Sequence, residues 1–287
     1  MNTFKKLLIS SRPVSWINTA FPFAATYLFF TGKVDLTLVL GTIFFLVPYN
    51  LFMYGINDVF DYESDLRNPR KGGIEGALLD KSLHNITINA AVLSCVPFVL
   101  YLFLVGSAAA NSMLAFALFT VLAYSFKGLR FKEIPFLDSL TSASHFVNPM
   151  LYAAVLAGQD LLQAPLSQSW LAFACWAMAS HAFGAVQDVK ADEEGGLKSI
   201  ATFLGARVTT RFAWLLYLTG GVLMAFTPWP MNLAAIAVIP YLVIVAPHWN
   251  ITDETCESAN RGWRKFIWLN YFAGFVVTQL LIFSAIL

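Results

Sequence analysis

The sequence predicts an all-α polytopic membrane protein, with nine transmembrane helices in one bundle and the N-terminus in the cytoplasm. Three observations carry that prediction. Of the 287 residues, 58% are hydrophobic and only 12% are charged. An ordinary soluble domain has about 25% charged residues, so a water-facing surface cannot be covered. Nine apolar runs follow one another, each close to the roughly 20 residues that a bilayer-crossing helix requires. Lys and Arg crowd into alternate connections between these runs. What remains between nine spans is too short for a separate nucleotide- or DNA-binding domain, so residues 1–287 read as one transmembrane domain and nucleic acid is excluded as a partner.

The runs fall at about 13–30, 36–56, 86–105, 108–126, 137–157, 168–186, 208–227, 231–247 and 266–286. Pro13 opens the first at a position where its missing N–H costs nothing. The stretch from Val14 to Phe30 lacks a small-residue cleavage pattern and reads as a span, not a removable signal. Pro22, Pro48, Pro97 and Pro149 lie inside spans, where neighbouring groups re-satisfy the freed carbonyls. Only Gly106 and Ser107 separate spans three and four. Cys95, Cys175 and Cys256 have no metal-type spacing and read as small apolar residues.

The N-terminus and the connections after spans two, four, six and eight hold 17 of the 18 Lys and Arg; Lys33 is the exception. The positive-inside rule places that side in the cytoplasm of the cell membrane. Fifteen of the 17 Asp and Glu share it. Acids contribute little to orientation, so an excess of both signs suggests that something charged is handled there.

Two acidic motifs stand out. Asn57-Asp58-Val59-Phe60-Asp61-Tyr62-Glu63-Ser64-Asp65 follows span two, and Gln187-Asp188-Val189-Lys190-Ala191-Asp192 follows span six. On continuous helices Asn57, Asp61 and Asp65 form one stripe, and Asp188 and Asp192 repeat the i, i+4 spacing. Like charges at that spacing repel, so two such clusters want a cation. Carboxylates with an amide suit a hard ion, and few dedicated ligands suit Mg²⁺ shared with a phosphate. Four spans separate the motifs, with Asp58 and Asp188 taken as equivalent points of an internal duplication. Arg67, Asn68, Arg70 and Lys71 follow the first motif and Lys198 the second. Tyr124, Lys127 and Arg130 come from the connection after span four.

This pattern resembles the UbiA superfamily of intramembrane prenyltransferases across nearly the whole chain. The Arg12-Pro13 entry, the Tyr124-x-x-Lys127 segment and both acidic motifs carry the resemblance. Within it, residues 57–72 and 181–192 look most like lycopene elongases of C50 carotenoid synthesis. Pro stands in some relatives where Gln187 is here. The resemblance implies that Asn57, Asp61, Asp65, Asp188 and Asp192 hold Mg²⁺ on a prenyl diphosphate. Asp58 matches the motif but lies about 100° off the stripe, in a supporting position. Arg67 or Arg70, Tyr124, Lys127 and Lys198 would contact diphosphate. Asp61, Asp65, Asp188 and Asp192, with His181, are then the catalytic set.

The implied reaction is ionisation of an allylic diphosphate followed by attack of an electron-rich acceptor carbon. Span five is unusually polar, with Asp138, Ser139, Thr141, Ser142, Ser144, His145 and Asn148. Polar groups in a span face a cavity or another helix, which makes His145 and Asn148 candidates for the acceptor cavity. His181 lies two turns before Asp188 on the same face and could act as the base. Both histidines could equally hold interhelical hydrogen bonds. Apart from Arg211 at the edge of the seventh run, no Lys or Arg falls within a span, which favours an apolar acceptor over a carboxylate-bearing one. Dimethylallyl diphosphate as donor and lycopene as acceptor follow from the resemblance, with a carotenoid cyclase as a candidate partner. The same fold could serve a quinone or aromatic acceptor, chlorophyll, haem or a lipid. A cation transporter would carry its acids at mid-membrane, whereas these sit at span ends.

Overall fold

The computed structural model describes residues 2–66 and 78–286, and among them there is no β-strand. The helices are α1 (Thr3–Ser10), α2 (Ile17–Thr31), α3 (Leu36–Leu46), α4 (Pro48–Asn50), α5 (Ile56–Phe60), α6 (Tyr62–Asp65), α7 (His84–Val105) and α8 (Ala108–Ser125). The second half adds α9 (Leu137–Leu156), α10 (Leu166–Val186), α11 (Val189–Glu194), α12 (Ile200–Ala225), α13 (Ile239–Val245), α14 (Asn260–Trp263) and α15 (Phe266–Ile286). A π-helical turn, Leu51–Gly55, joins α4 to α5.

Each of the nine apolar runs is helical, and seven of the resulting segments are long and apolar enough to cross a membrane. These are Leu36–Phe60, Lys81–Val105, Ala108–Ser125, Leu166–Val186, Ile200–Ala225, Met231–His248 and Trp268–Ile286. The other two fall short for opposite reasons. Helix α2 is apolar but has 15 residues, about 22 Å at 1.5 Å per residue. Helix α9 has 20 residues, long enough, but its polar groups dilute its hydropathy.

The break between spans three and four is real. Gly106 is extended (φ −81°, ψ 148°) and Ser107 caps α8, its Oγ accepting from the Ala110 N–H at 3.2 Å. The second half departs further from the expected boundaries. Helix α12 begins at Ile200, within the expected connection, and bends at Gly205 (φ 77°). Past the bend, the Asp253 carboxylate accepts from the Ala206 N–H at 2.6 Å, capping the new helix start. The eighth span is largely 3₁₀ (Met231–Val238 and Ala246–His248) around α13, with Pro240 and Pro247 interrupting the α-helical ladder.

The chain divides into two compact units. One contains residues 1–131 and 148–159, the other 132–147 and 160–287. In the first unit Phe23, Phe44, Phe45, Tyr49 and Tyr152 are fully buried. Phe45 lies 5.1 Å from both Phe23 and Tyr49, ring centre to ring centre. In the second unit Phe183, Tyr217, Tyr241 and Phe266 form the centre, with Tyr217 and Tyr241 stacked at 5.0 Å. Free Cys95 and Cys256 are buried within these cores.

Packing in the first unit depends on Gly41 of α3. A Cβ added there would lie 2.2 Å from the Phe23 ring. Alanine gains about 1 kcal/mol of helix propensity over glycine, but overpacking a full core costs about 1–3 kcal/mol. The ring is fully buried and cannot swing away, so the steric cost wins. Gly41→Ala is expected to lower the thermal midpoint of the detergent-solubilised protein, and an unchanged or raised midpoint would contradict this packing.

Candidate active site

The first motif is delivered by a deliberately irregular helix. Pro48 removes a donor from the ladder, and the buried Asn50 amide repairs the damage. Its Nδ2 donates to the Phe45 and Leu46 carbonyls at 2.8 and 3.0 Å, and to Thr19 Oγ1 at 2.7 Å. The π turn at Leu51–Gly55 then takes up an extra residue, a device frequent at functional sites. Each residue of register is worth about 100°, so the turn sets which way Asn57 and Asp61 face.

The expected continuous stripe through Asn57, Asp61 and Asp65 is interrupted. Helix α5 ends at Phe60, Asp61 sits at φ −97°, ψ 0°, and α6 restarts at Tyr62 and closes at Asp65. The second motif does the same thing. Helix α10 ends at Val186, Asp188 sits at φ −99°, ψ −6°, and α11 restarts at Val189 with Asp192 in its first turn. Short acids compete with the helix for backbone hydrogen bonds, and like charges one turn apart oppose its continuation. The structural counterpart of Asp188 is therefore Asp61, not Asp58, and the repeated unit is Asp-x-x-x-Asp led by a residue at a helix break. Spacing within each half survives, since Asp61 N–H donates to the Asn57 carbonyl at 2.9 Å and Asp192 N–H to the Asp188 carbonyl at 2.8 Å.

Within the first unit Asn57 Oδ1 accepts from Ser125 Oγ at 2.8 Å, fixing the amide against the end of α8. Asp61 is mostly buried, with Arg130 Nη2 at 3.9 Å. Asp58 is almost wholly buried and turned elsewhere. Its Oδ1 accepts from Arg12 at 3.0 Å and its Oδ2 from Ser10 at 2.8 Å. Arg12, in the left-handed region (φ 51°), also lies over the Tyr54 ring at 4.2 Å. The sequence assigned Asp58 to the metal-binding motif; the structure gives both its oxygens partners in the N-terminal segment. On the same segment Lys6 bonds Asp80 at 2.6 Å, which holds that carboxyl below its usual range. Tyr124 is half-buried and Lys127 exposed at the end of α8. Arg67 and Arg70 lie outside the described residues.

Within the second unit Asp188 and Asp192 are half-buried and Lys198 is exposed just before α12. Gln187 is buried, donating to the Gly184 carbonyl at 2.9 Å and accepting from Asn260 at 2.6 Å. Gln187 thus ties α14 to the base of the motif. His181 Nδ1 lies 3.0 Å from Ser139 Oγ. His145 is buried, and Asn148 donates to Thr120 Oγ1 at 3.2 Å, an interhelical bond within the first unit. Sequence reasoning did not single out Ser10, Ser125 or the Ser139 partnership, because nothing in their spacing marks them. Arg12 did carry a signal, standing beside the helix-opening Pro13.

Among the described residues no three His, Cys, Asp or Glu side chains converge on a metal position. The donors that the two motifs offer are all oxygen, carboxylates with one amide, and that set fits a hard divalent ion such as Mg²⁺. Residues 19–270 match the UbiA prenyltransferase family. The chain belongs to that family of enzymes. It is 55% identical, over 98% of its length, to a C(50) beta-cyclic carotenoids biosynthesis protein of Dietzia, of which it spans 65%. A lycopene elongase/hydratase of Corynebacterium glutamicum is 50% identical over 98% of both chains. A third relative, the lycopene elongase/hydratase of Haloferax volcanii, is 31% identical over 83% of this chain and 77% of its own. Among solved structures, a UbiA homolog from Archaeoglobus fulgidus bound to DMAPP and Mg²⁺ has a TM-score of 0.67, at 21% identity, over 96% of this chain and 99% of that one. Digeranylgeranylglyceryl phosphate synthase gives the same TM-score at 18% identity, over 100% and 99%. Likeness at that identity establishes the UbiA fold.

Proposed function

We propose that this UbiA-family enzyme transfers a dimethylallyl group from its diphosphate to lycopene, giving C45 and C50 carotenoids in a Mg²⁺-dependent reaction. The observation that carries the acceptor is 50% identity, over nearly the full length of both chains, to a protein named for lycopene elongation. Arg211, at the edge of the seventh, is the one Lys or Arg in the apolar runs, and this scarcity of cations agrees with an acceptor bearing no carboxylate. Nine crossings, a cytoplasmic N-terminus and a cytoplasmic reaction end in the cell membrane complete the reading.

Asn57, Asp61 and Asp65 of the first motif, and Asp188 and Asp192 of the second, would hold Mg²⁺ beside the donor's diphosphate. When bound, Mg²⁺ neutralises negative charge growing on the departing diphosphate. Lys127, Lys198 and Arg67 or Arg70 share that task through charge-assisted hydrogen bonds, with Tyr124 beside them. Asn57 is held ready by Ser125. Asp58 acts through the N-terminal segment and does not touch the ion. The spans exclude water while the allylic carbon is electron-poor. The acceptor carbon then supplies the electron pair for the new C–C bond, and His181 accepts the proton released afterwards.

Expression in a lycopene-accumulating bacterium supplied with dimethylallyl diphosphate tests the reading. New C45 and C50 species by chromatography and mass spectrometry are the expected result. Unchanged lycopene with well-expressed protein would remove lycopene as acceptor, and aromatic and quinone acceptors would be assayed next.

A further inference from the structure

Relatives of this chain are named lycopene elongase/hydratase, and a cluster in the second unit bears on the choice between proton loss and water capture at the final cation. Asp138 opens α9 and is fully buried. Its Oδ1 accepts from the Ser139 N–H at 2.7 Å, and its Oδ2 from the Ile200 N–H at 2.6 Å, where α12 begins. The carboxylate thereby fixes the first turn of α9 against the start of α12. Ser139, pinned by its own N–H, turns Oγ to within 3.0 Å of Nδ1 of His181 in α10. Asp138 and Ser139 thereby link the first turn of α9 and the start of α12 to one imidazole of α10. His181 itself is only half-buried, between the buried residues of α10. Its seven-residue separation from Asp188 puts it about 10 Å deeper on the same face.

We propose, resting on the acceptor reading above, that Ser139 and Asp138 are positioning residues that hold His181 in its Nδ1-protonated tautomer and so decide whether the final carbocation loses a proton or is captured by water. The partner of one ring nitrogen sets the protonation of the other. With Nδ1–H donating to Ser139 Oγ, Nε2 carries the lone pair. Once the new C–C bond has formed, the acceptor bears the positive charge. A proton on the adjacent carbon passes to Nε2, and the C–H electron pair becomes a double bond. The buried Asp138 charge stabilises the resulting imidazolium, as a carboxylate does in a triad, and the imidazolium later returns its proton to water. In the opposite tautomer Nε2 bears hydrogen and cannot take that proton. A water oxygen then donates a lone pair to the cation, the C–O bond forms, and the surplus proton leaves to solvent.

Product analysis in the lycopene-making host reads this partition directly. Ser139→Ala is expected to raise the ratio of hydroxylated to non-hydroxylated C45 and C50 carotenoids by about tenfold or more, part of the roughly 10²–10⁴-fold that a positioned general base contributes. Total elongated product should stay within about threefold, because ionisation does not involve this residue. Ser139→Thr, which keeps the hydroxyl, should keep the ratio. Elongated product that falls in amount at an unchanged ratio would overturn the proposal and leave Ser139 a packing residue. Failure of the acceptor reading looks different: the unsubstituted enzyme then makes no elongated carotenoid at all. A second measurement does not depend on the acceptor. In ¹⁵N-histidine-labelled protein in nanodiscs, His181, assigned by loss of its signal in His181→Gln, should show a pyrrole-type Nδ1 that is lost in Ser139→Ala. A pyridine-type Nδ1 in the unsubstituted protein would overturn the tautomer assignment.

Discussion

Asp61→Asn and Asp188→Asn are each expected to lower kcat/KM for carotenoid elongation by at least about 10²–10³-fold, the scale of losing one preorganised group that stabilises transition-state charge. Both substitutions keep side-chain shape, remove the negative charge and turn one acceptor oxygen into a donor NH₂. Each aspartate stands at a helix break with a second aspartate four residues on, and like charges at that spacing cost about 0.2–0.5 kcal/mol when no cation is present. Loss of charge at Asp188 should therefore leave the thermal midpoint of the metal-free protein unchanged or slightly raised while activity collapses. That pairing separates a ligand from a structural residue. Asp61 is mostly buried near Arg130, so Asp61→Asn tests the same point against a small stability loss. The Mg²⁺ concentration giving half-maximal rate should rise in both. Activity of Asp188→Asn at the unsubstituted level, at any Mg²⁺ concentration, would remove the motif from the chemistry.

Much of this was legible because the bilayer restricts the choices. Every backbone polar group must be satisfied within a span, so apolar runs of about 20 residues translate into helices; each of the nine runs is helical, and seven are long and apolar enough to cross a membrane. The motif residues were legible for a similar reason, since carboxylates in so apolar a chain need an explanation. Irregularity was less visible. Nothing in Leu51–Gly55 announces a π turn, although Pro48 three residues earlier announces some break. The split of each acidic stripe at Asp61 and Asp188 follows from charge repulsion that a helical wheel ignores. The early start of α12 was hidden because its first turns lie between Lys198 and Arg207, and its bend rests on a cap from Asp253, 47 residues after Ala206. Pairings over such distances, like Arg12 with Asp58 or Ser139 with His181, leave no local pattern to read.

Arg12→Ala is expected to destabilise the protein by about 3–5 kcal/mol, the cost of leaving a buried carboxylate without its ion-pair partner. The Asp58 side chain has no exposure and Arg12 keeps 18%, so solvent cannot replace the guanidinium. Ser10 supplies one hydrogen bond to Oδ2, which satisfies geometry but not charge. The guanidinium also covers the Tyr54 ring, a contact worth about 0.5–2 kcal/mol depending on its desolvation. Asp58→Asn alone should cost less, because the amide can still accept from Arg12 and the partly exposed guanidinium can be hydrated. The double variant, Arg12→Ala with Asp58→Asn, should recover part of the loss from Arg12→Ala, a non-additivity that marks one interacting pair. Activity adds a second reading of the same cycle. If Asp58 serves only to hold the N-terminal segment, the double variant retains turnover and Mg²⁺ dependence close to those of the unsubstituted enzyme once folded. Were Asp58 a metal ligand, Asp58→Asn would abolish turnover and raise the Mg²⁺ requirement as Asp61→Asn does. The Mg²⁺ titration of Asp58→Asn beside Asp61→Asn therefore decides whether the ion requires Asp58 as it requires Asp61.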